Sequence, residues 1–346
     1  MGVDLFFVLS GYLITGILLR LKDGRTTGGS YWSSFYSRRA RRILPAYVLF
    51  LVVVSFVFRG HWGNIWYWYV FFTPNIPLAL GKVTVAAMGP LWSLGVEEQF
   101  YFVWPWLVLA CSKLRLRRVA LGIIVVSPLL RAVATPLFST HFPIYSLTLF
   151  RADTLAMGAF IAIASGCDPQ WLSRNRRLAR NISATSMALL AALSILPSFR
   201  ATANSVMFNA MAYSLSAACL GGVLVYVLAS RRGFTHTLLT APPLRYLGLV
   251  SYTFYLYHEG VLLQVGQYFQ SRILIASVGF SITVLISVLS WHCLEAPILG
   301  RGTGKLLPSL QSIFGASARG WCCREPRRTP AVIVAASTAL QQESLN

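Results

Sequence analysis

Four arginines occupy four of five consecutive positions just ahead of a long apolar run, in a segment predicted to be a loop at the start of a helix. They are Arg38, Arg39, Arg41 and Arg42, and they form two pairs spaced three residues apart. Guanidinium groups bind phosphate oxygens in a bidentate manner, so the cluster could hold an anionic donor such as a nucleotide or coenzyme A. A plain topogenic charge cluster is the alternative, which explains the number of arginines but not their close spacing.

Two adjacent carboxylates, Glu97 and Glu98, fall inside another apolar run. A charge within a membrane span costs at least about 2.5 kcal/mol on insertion scales, so it usually faces a cavity or a partner. On a helix the two side chains lie about 100° apart, which predicts different roles. One could act as a base or orient a partner, while the other pairs with an arginine. The alternative is that both only stabilise the fold through ion pairs.

Two further groups of polar residues lie in apolar runs. Arg151 and Asp153 are predicted to form ion pairs, either with each other or with a charge on another helix. Ser251, Tyr255 and His258 follow i, i+4, i+7 spacing and predict one polar face on a helix. His258 could be a general base, or it could be a buried histidine that bonds to a neighbouring helix.

The elements that position these residues are predicted to be membrane helices. Of the 346 residues, 56% are hydrophobic and 12% are charged, and the mean hydropathy is +0.62. A soluble domain has roughly 25% charged residues. The net charge of +20 alone would permit a nucleic-acid-binding protein, but the positions of the charges exclude that class. The six cysteines lack the spacing of a zinc site and are predicted to be free thiols, and no metal site is expected.

The fold class predicted from these runs is an all-α polytopic membrane helix bundle with nine transmembrane helices, since a span needs about 20 mostly apolar residues. One transmembrane domain is expected over residues 1–300, followed by a poorly ordered cytoplasmic tail over 301–346. The predicted spans are 3–20, 43–58, 88–111, 119–138, 144–166, 182–197, 204–229, 246–268 and 273–297.

The distribution of Lys and Arg between these spans predicts their orientation. The connecting segments alternate, with 24 of the 30 basic residues on one side and five, including Arg131, on the other. The positive-inside rule makes the first side, and with it the C-terminus, cytoplasmic. The first helix would then start outside at Met1 without a basic flank. We therefore expect a further helix upstream of Met1, which gives ten.

Four stretches together resemble the acyltransferase family 3 membrane proteins, O-acetyltransferase-like enzymes that modify bacterial surface polysaccharides. The stretches are Gly2 to Thr15, Arg41-Arg42-Ile43-Leu44-Pro45, Leu91 to Tyr101 and Ser251 to His258. The resemblance implies a ten-helix protein of the bacterial inner membrane. It also implies transfer of an acyl group, acetyl above all, from cytoplasmic acyl-coenzyme A as co-substrate to a hydroxyl of a carbohydrate acceptor. No bound cofactor is expected.

The resemblance also indicates site residues. An Arg-x-x-Arg pair in the arginine cluster is expected to bind the donor, and the expected substrate-binding residues further include Ser10, Gly11, Arg151 and Asp153. The family's expected catalytic histidine lies on the first helix, upstream of Met1. Glu97, Glu98 and His258 are therefore the catalytic candidates within the chain. A periplasmic partner would be needed to deliver the acyl group across the bilayer. The alternatives are an inactive truncated remnant and a polytopic transporter or flippase.

Overall fold

The computed structural model describes residues 2–24, 28–58, 65–82, 85–200, 204–230 and 234–300. These residues form helices and their connections, and no strand occurs among them. The all-α prediction is therefore confirmed. The predicted tail over 301–346 lies outside the described residues.

Long helices of 19 to 30 residues make up most of the described chain. They are α1 Gly2–Asp23, α2 Gly28–Val57, α5 Leu91–Ala110, α6 Lys113–Ala134, α8 Thr148–Cys167, α9 Trp171–Leu193, α10 Val206–Ala229, α12 Pro242–Val265 and α13 Arg272–Ser290. The short helices are α3 Trp66–Val70, α4 Asn75–Ala79, α7 Phe142–Ser146, α11 Phe234–Leu239 and α14 Ala296–Gly300. A π-helical turn, Trp291–Glu295, joins α13 to α14.

Each predicted span overlaps one of the long helices. In the described ranges, six helical segments are long and apolar enough to cross a membrane by length and composition. These segments include α1, α2, α6, α8, α10 and α13. The chain is thus a multi-pass membrane protein, whereas the number of nine spans stays a prediction. The helices outside this set are α5, which carries two glutamates, α9, whose first half is rich in arginine, and α12.

The predicted loop around the arginine cluster is wrong, because α2 begins at Gly28 and carries all four arginines within the helix. Arginine is a good helix former, and no proline occurs between Gly28 and Pro45. The same applies to α9, which begins at Trp171 instead of residue 182 and carries four arginines in its first half. Hydropathy marks where a helix enters hydrocarbon and does not mark where the helix begins.

The helices α1 and α8 cross in close backbone contact. A Cβ atom at Gly11 would lie 1.9 Å from the carbonyl oxygen of Leu155, and one at Gly158 would lie 1.9 Å from that of Val8. Only glycine permits this separation, as in other membrane helix pairs with small residues at the interface. The two helices run parallel, since Asp4 meets Arg151 at one end and Arg20 shares a cavity wall with Ser165 at the other.

Basic residues collect at the end of the bundle where α1 finishes. Lys22 Nζ donates there to the backbone oxygens of Val108 and Cys111, at 2.8 and 2.7 Å. Lys113 at the start of α6 pairs with Asp23 at 2.8 Å. We call this the basic end, and α9 begins there because it follows directly on α8. The positive-inside rule predicts that the basic end is cytoplasmic.

Candidate active-site cavity

A cavity of about 490 Å³ lies between α1, α2, α5 and α12. Apolar side chains such as Phe6, Phe7 and Leu94 form much of its wall. Polar groups from all four helices interrupt this apolar lining. They include Ser10, Arg39, Arg42, Ser93, Glu97 and Tyr255. An apolar cavity with a few convergent polar groups is the usual form of a small-molecule site.

A cluster of hydrogen bonds and a stacked guanidinium lies on the wall of this cavity. The Ser10 and Tyr101 hydroxyls are hydrogen-bonded to each other across α1 and α5. The Glu97 carboxylate bonds to both hydroxyls. The guanidinium carbon of Arg39 lies 3.5 Å from the centroid of the Tyr101 ring, so the two planar groups are in cation–π contact.

The two adjacent glutamates have different surroundings. Glu98 Oε1 lies 3.4 Å from Arg39 Nη2, and about a fifth of each side chain remains exposed. Glu97 instead lines the cavity beside the hydroxyls. One carboxylate is therefore paired with an arginine, while the other is available to a molecule in the cavity.

The four arginines divide into two pairs on different faces of α2. Arg39 and Arg42, spaced three residues apart, both line the cavity. Arg38 and Arg41 are exposed, and Arg41 Nε donates to the Ser37 backbone oxygen at 3.3 Å. Residues three apart share a helix face, so the Arg-x-x-Arg pair that can reach a ligand in the cavity is Arg39 with Arg42.

The other end of the cavity, away from Arg42, carries hydroxyl groups. Ser93 Oγ lies 2.5 Å from the hydroxyl of Tyr255, which donates to the backbone oxygen of Pro90 at 3.0 Å. His258 follows one turn later on α12, and its Nδ1–H donates to the Tyr255 backbone oxygen at 2.7 Å. His258 is not part of the cavity wall, whereas Ser251 is.

Arg151 and Asp153 lie elsewhere in the bundle, buried and outside the cavity wall. They do not pair with each other. Arg151 pairs with Asp4 of α1, and Asp153 pairs with Arg131 of α6 at 2.8 Å. The charge count places Arg131 outside, but the structure buries it completely, because this ion pair and a bond to the Phe150 backbone oxygen satisfy its guanidinium. Gly11 is likewise used in the α1–α8 crossing.

Sequence patterns gave no role to the residues that hold α5 in place. Gln99 Nε2 donates to Asn75 Oδ1 at 2.8 Å, and the Thr148 hydroxyl donates to Gln99 Oε1. These bonds join α5 to α4 and α8 one residue after Glu98. The position of Gln99 beside two glutamates in an apolar run was the signal available in the sequence.

Within the described ranges, no group of three or more His, Cys, Asp or Glu side chains is arranged to hold a metal ion. The cysteines in these ranges are free thiols: Cys111, Cys167, Cys219 and Cys293. The chemistry open to the cavity therefore rests on its guanidinium, carboxylate and hydroxyl groups.

Together these features define a multi-pass membrane protein with an internal polar cavity. A family model described as an acyltransferase domain matches residues 1–292. The chain belongs to this family, acyltransferase family 3, as the four motifs predict.

Curated relatives include the peptidoglycan O-acetyltransferase OatA of Listeria monocytogenes, which is 29% identical over 332 residues, covering 87% of this chain and 51% of the relative. The O-acetyltransferase OatA of Staphylococcus aureus (strain MRSA252) is 26% identical over 342 residues, covering 91% of this chain and 55% of the relative. The chain spans about half the length of these relatives. No solved structure matches it.

Proposed function

We propose that this chain is a membrane O-acyltransferase that transfers an acetyl group from acetyl-coenzyme A to a hydroxyl of a cell-wall glycan. The observation that carries the proposal is the cavity between α1, α2, α5 and α12, which brings a guanidinium pair and a free carboxylate onto one wall. The family supports the class of reaction, and the names of the relatives favour a peptidoglycan acceptor.

The guanidinium pair supplies the grip on the donor. Coenzyme A carries phosphate groups, and Arg39 and Arg42 present two planar forks from one face of α2. Arg38 and Arg41 take no part in this grip, because they lie on another face. The apolar wall beside the pair suits the acyl chain.

The carboxylate and hydroxyl cluster supplies the proton chemistry. Glu97 accepts the proton of the acceptor hydroxyl as its oxygen attacks the thioester carbonyl carbon. The carbon–sulfur bond then breaks, and the coenzyme A thiolate leaves and takes up a proton. Ser10 and Tyr101, which bond to Glu97, hold its carboxylate toward the cavity. Arg39 lies nearby to stabilise the negative charge that develops on the carbonyl oxygen.

The test uses the purified full-length chain in lipid nanodiscs, with acetyl-coenzyme A and soluble peptidoglycan fragments. Free thiol is measured by absorbance, and acetylated glycan by mass spectrometry. We expect Arg42→Gln to raise KM for acetyl-coenzyme A by roughly tenfold, as expected when a charge-assisted hydrogen bond is lost. Arg41→Gln, with the same change of charge on the other face, should leave KM unchanged. Wild-type protein that releases no thiol with any glycan would refute the proposal.

A further inference from the structure

A second cavity, of about 550 Å³, lies at the basic end between the start of α9 and the end of α10. It is lined by Ser173, Arg174, Arg176, Arg177, Arg180 and Tyr226. We call it the arginine groove. None of these residues lines the candidate active-site cavity, so the groove requires an explanation of its own.

Helical spacing and close packing build the groove. Ser173, Arg177 and Arg180 follow i, i+4, i+7 spacing along α9, which places them on one face. Below them α9 and α10 are in close contact, since a Cβ atom at Gly222 would lie 2.5 Å from the Ala179 carbonyl oxygen. The floor of the groove is therefore a tight helix contact.

Tyr226 fixes one of the guanidinium groups. Its hydroxyl accepts a bond from Arg176 Nη2 at 3.5 Å, and the Arg176 guanidinium carbon lies 4.9 Å from the centre of its ring. An arginine held against a tyrosine ring keeps its other N–H groups free for a ligand. The groove thus presents one oriented guanidinium among three exposed ones.

The positive charge of the groove exceeds the negative charge that reaches it. In the part of the chain that the structure describes, Asp168 is the carboxylate paired with these arginines, 3.4 Å from Arg174 Nη1. Arg176, Arg177 and Arg180 form no ion pair within those residues. Three unneutralised guanidinium groups in one groove repel each other, and a bound anion would relieve that repulsion.

The position of the groove indicates which anion it meets. Leu178 and Ile182 on α9 are 57% and 42% exposed, so apolar surface faces outward directly beside the arginines. A membrane protein places such a boundary at the lipid headgroup layer. The phosphate groups concentrated at this depth are those of phospholipids.

We propose that the arginine groove binds the headgroup phosphate of an anionic phospholipid in the leaflet at the basic end. The planar N–H groups of Arg176 and its neighbours donate to the phosphate oxygens, and the acyl chains lie along the apolar surface of α9. The lipid is recognised by its phosphodiester and net negative charge, which distinguishes it from zwitterionic lipids.

The test is native mass spectrometry of the detergent-solubilised full chain, titrated with cardiolipin and separately with phosphatidylcholine. The groove variant is Arg176→Gln with Arg177→Gln. The matched control is Arg115→Gln with Arg118→Gln, two exposed arginines of α6 at the same end. We expect the groove variant to lose roughly 10- to 30-fold in cardiolipin affinity, from the usual contribution of a basic residue near an anionic surface. The control should stay within about threefold of wild type.

An equal loss in both double variants would overturn the proposal, because it would show that general surface charge attracts the lipid. Coenzyme A is titrated in the same way to separate a lipid phosphate from a soluble one. Loss of coenzyme A binding with unchanged cardiolipin binding in the groove variant would also overturn it. Arg176→Lys keeps the charge and removes the planar fork, so it tests the site without a change in net charge. We expect it to bind cardiolipin several-fold more weakly than wild type.

Discussion

Replacing Arg39 with lysine separates the charge of this residue from its shape. Lysine keeps the positive charge opposite Glu98 but cannot stack a planar group on Tyr101, where the guanidinium carbon now lies 3.5 Å from the ring centroid. Cation–π contacts contribute about 1 kcal/mol when exposed and about 2 kcal/mol when desolvated. Arg39 is about one-fifth exposed, so its contact lies between these limits.

If this contact positions the guanidinium for the transition state, its full loss appears in kcat/KM. A barrier increase of about 1 to 2 kcal/mol corresponds to a roughly 5- to 30-fold decrease. The assay is thiol release from acetyl-coenzyme A by the purified chain in nanodiscs, with peptidoglycan fragments as acceptor. Arg38→Lys is the matched control, since Arg38 is exposed one position away on α2.

We expect Arg38→Lys to retain wild-type kcat/KM. If Arg39→Lys also stays within about twofold of wild type, the stacked geometry does not contribute to the reaction, and only its charge matters. An equal decrease in both variants would instead show that the arginine cluster acts as a diffuse charge and not through one oriented residue.

Two predictions concern the stability of the bundle and are measured by thermal unfolding in detergent. Gly158→Ala should destabilise it by about 1 to 3 kcal/mol through overpacking against α1, whereas Gly122→Ala, with no atom within 4 Å, should be neutral or slightly stabilising; equal melting temperatures would contradict the tight crossing. Asp153→Asn should cost about 3 to 5 kcal/mol because it leaves the buried Arg131 charge unpaired, while Asp23→Asn in an exposed pair should cost about 1 kcal/mol or less; similar losses would contradict the difference in burial.

The positions of the long helices follow from the sequence because lipid imposes a simple rule of length and apolarity. The starts of α2 and α9 do not follow, since both helices begin with polar and basic residues outside the hydrocarbon. Periodicity does separate Glu97 from Glu98, because neighbouring positions on a helix face different directions. It cannot tell which of them meets Arg39, since that depends on how α2 packs against α5.

Partners on distant helices are the part that local patterns miss. Asp4 and Arg151 are 147 positions apart, and the sequence marks each only as a charge in an apolar run. Arg131 looks like a charge at a loop because Pro128 and Ser127 precede it, yet α6 continues through all three. The energetic rule that a buried charge needs a partner predicts that a pair exists, and only the fold identifies it.

The two kinds of charge in this bundle differ in what they can do. Asp4, Arg151, Arg131 and Asp153 are almost fully buried and neutralised in pairs, so they have no access to a substrate and act as fixed links between α1, α6 and α8. Arg39 and Glu98 meet at 3.4 Å and stay partly exposed, in contact with a cavity that also contains Glu97. A substrate can change its interactions only with groups that it reaches. For that reason we assign the acyl-transfer chemistry to the cavity and a structural role to the buried pairs.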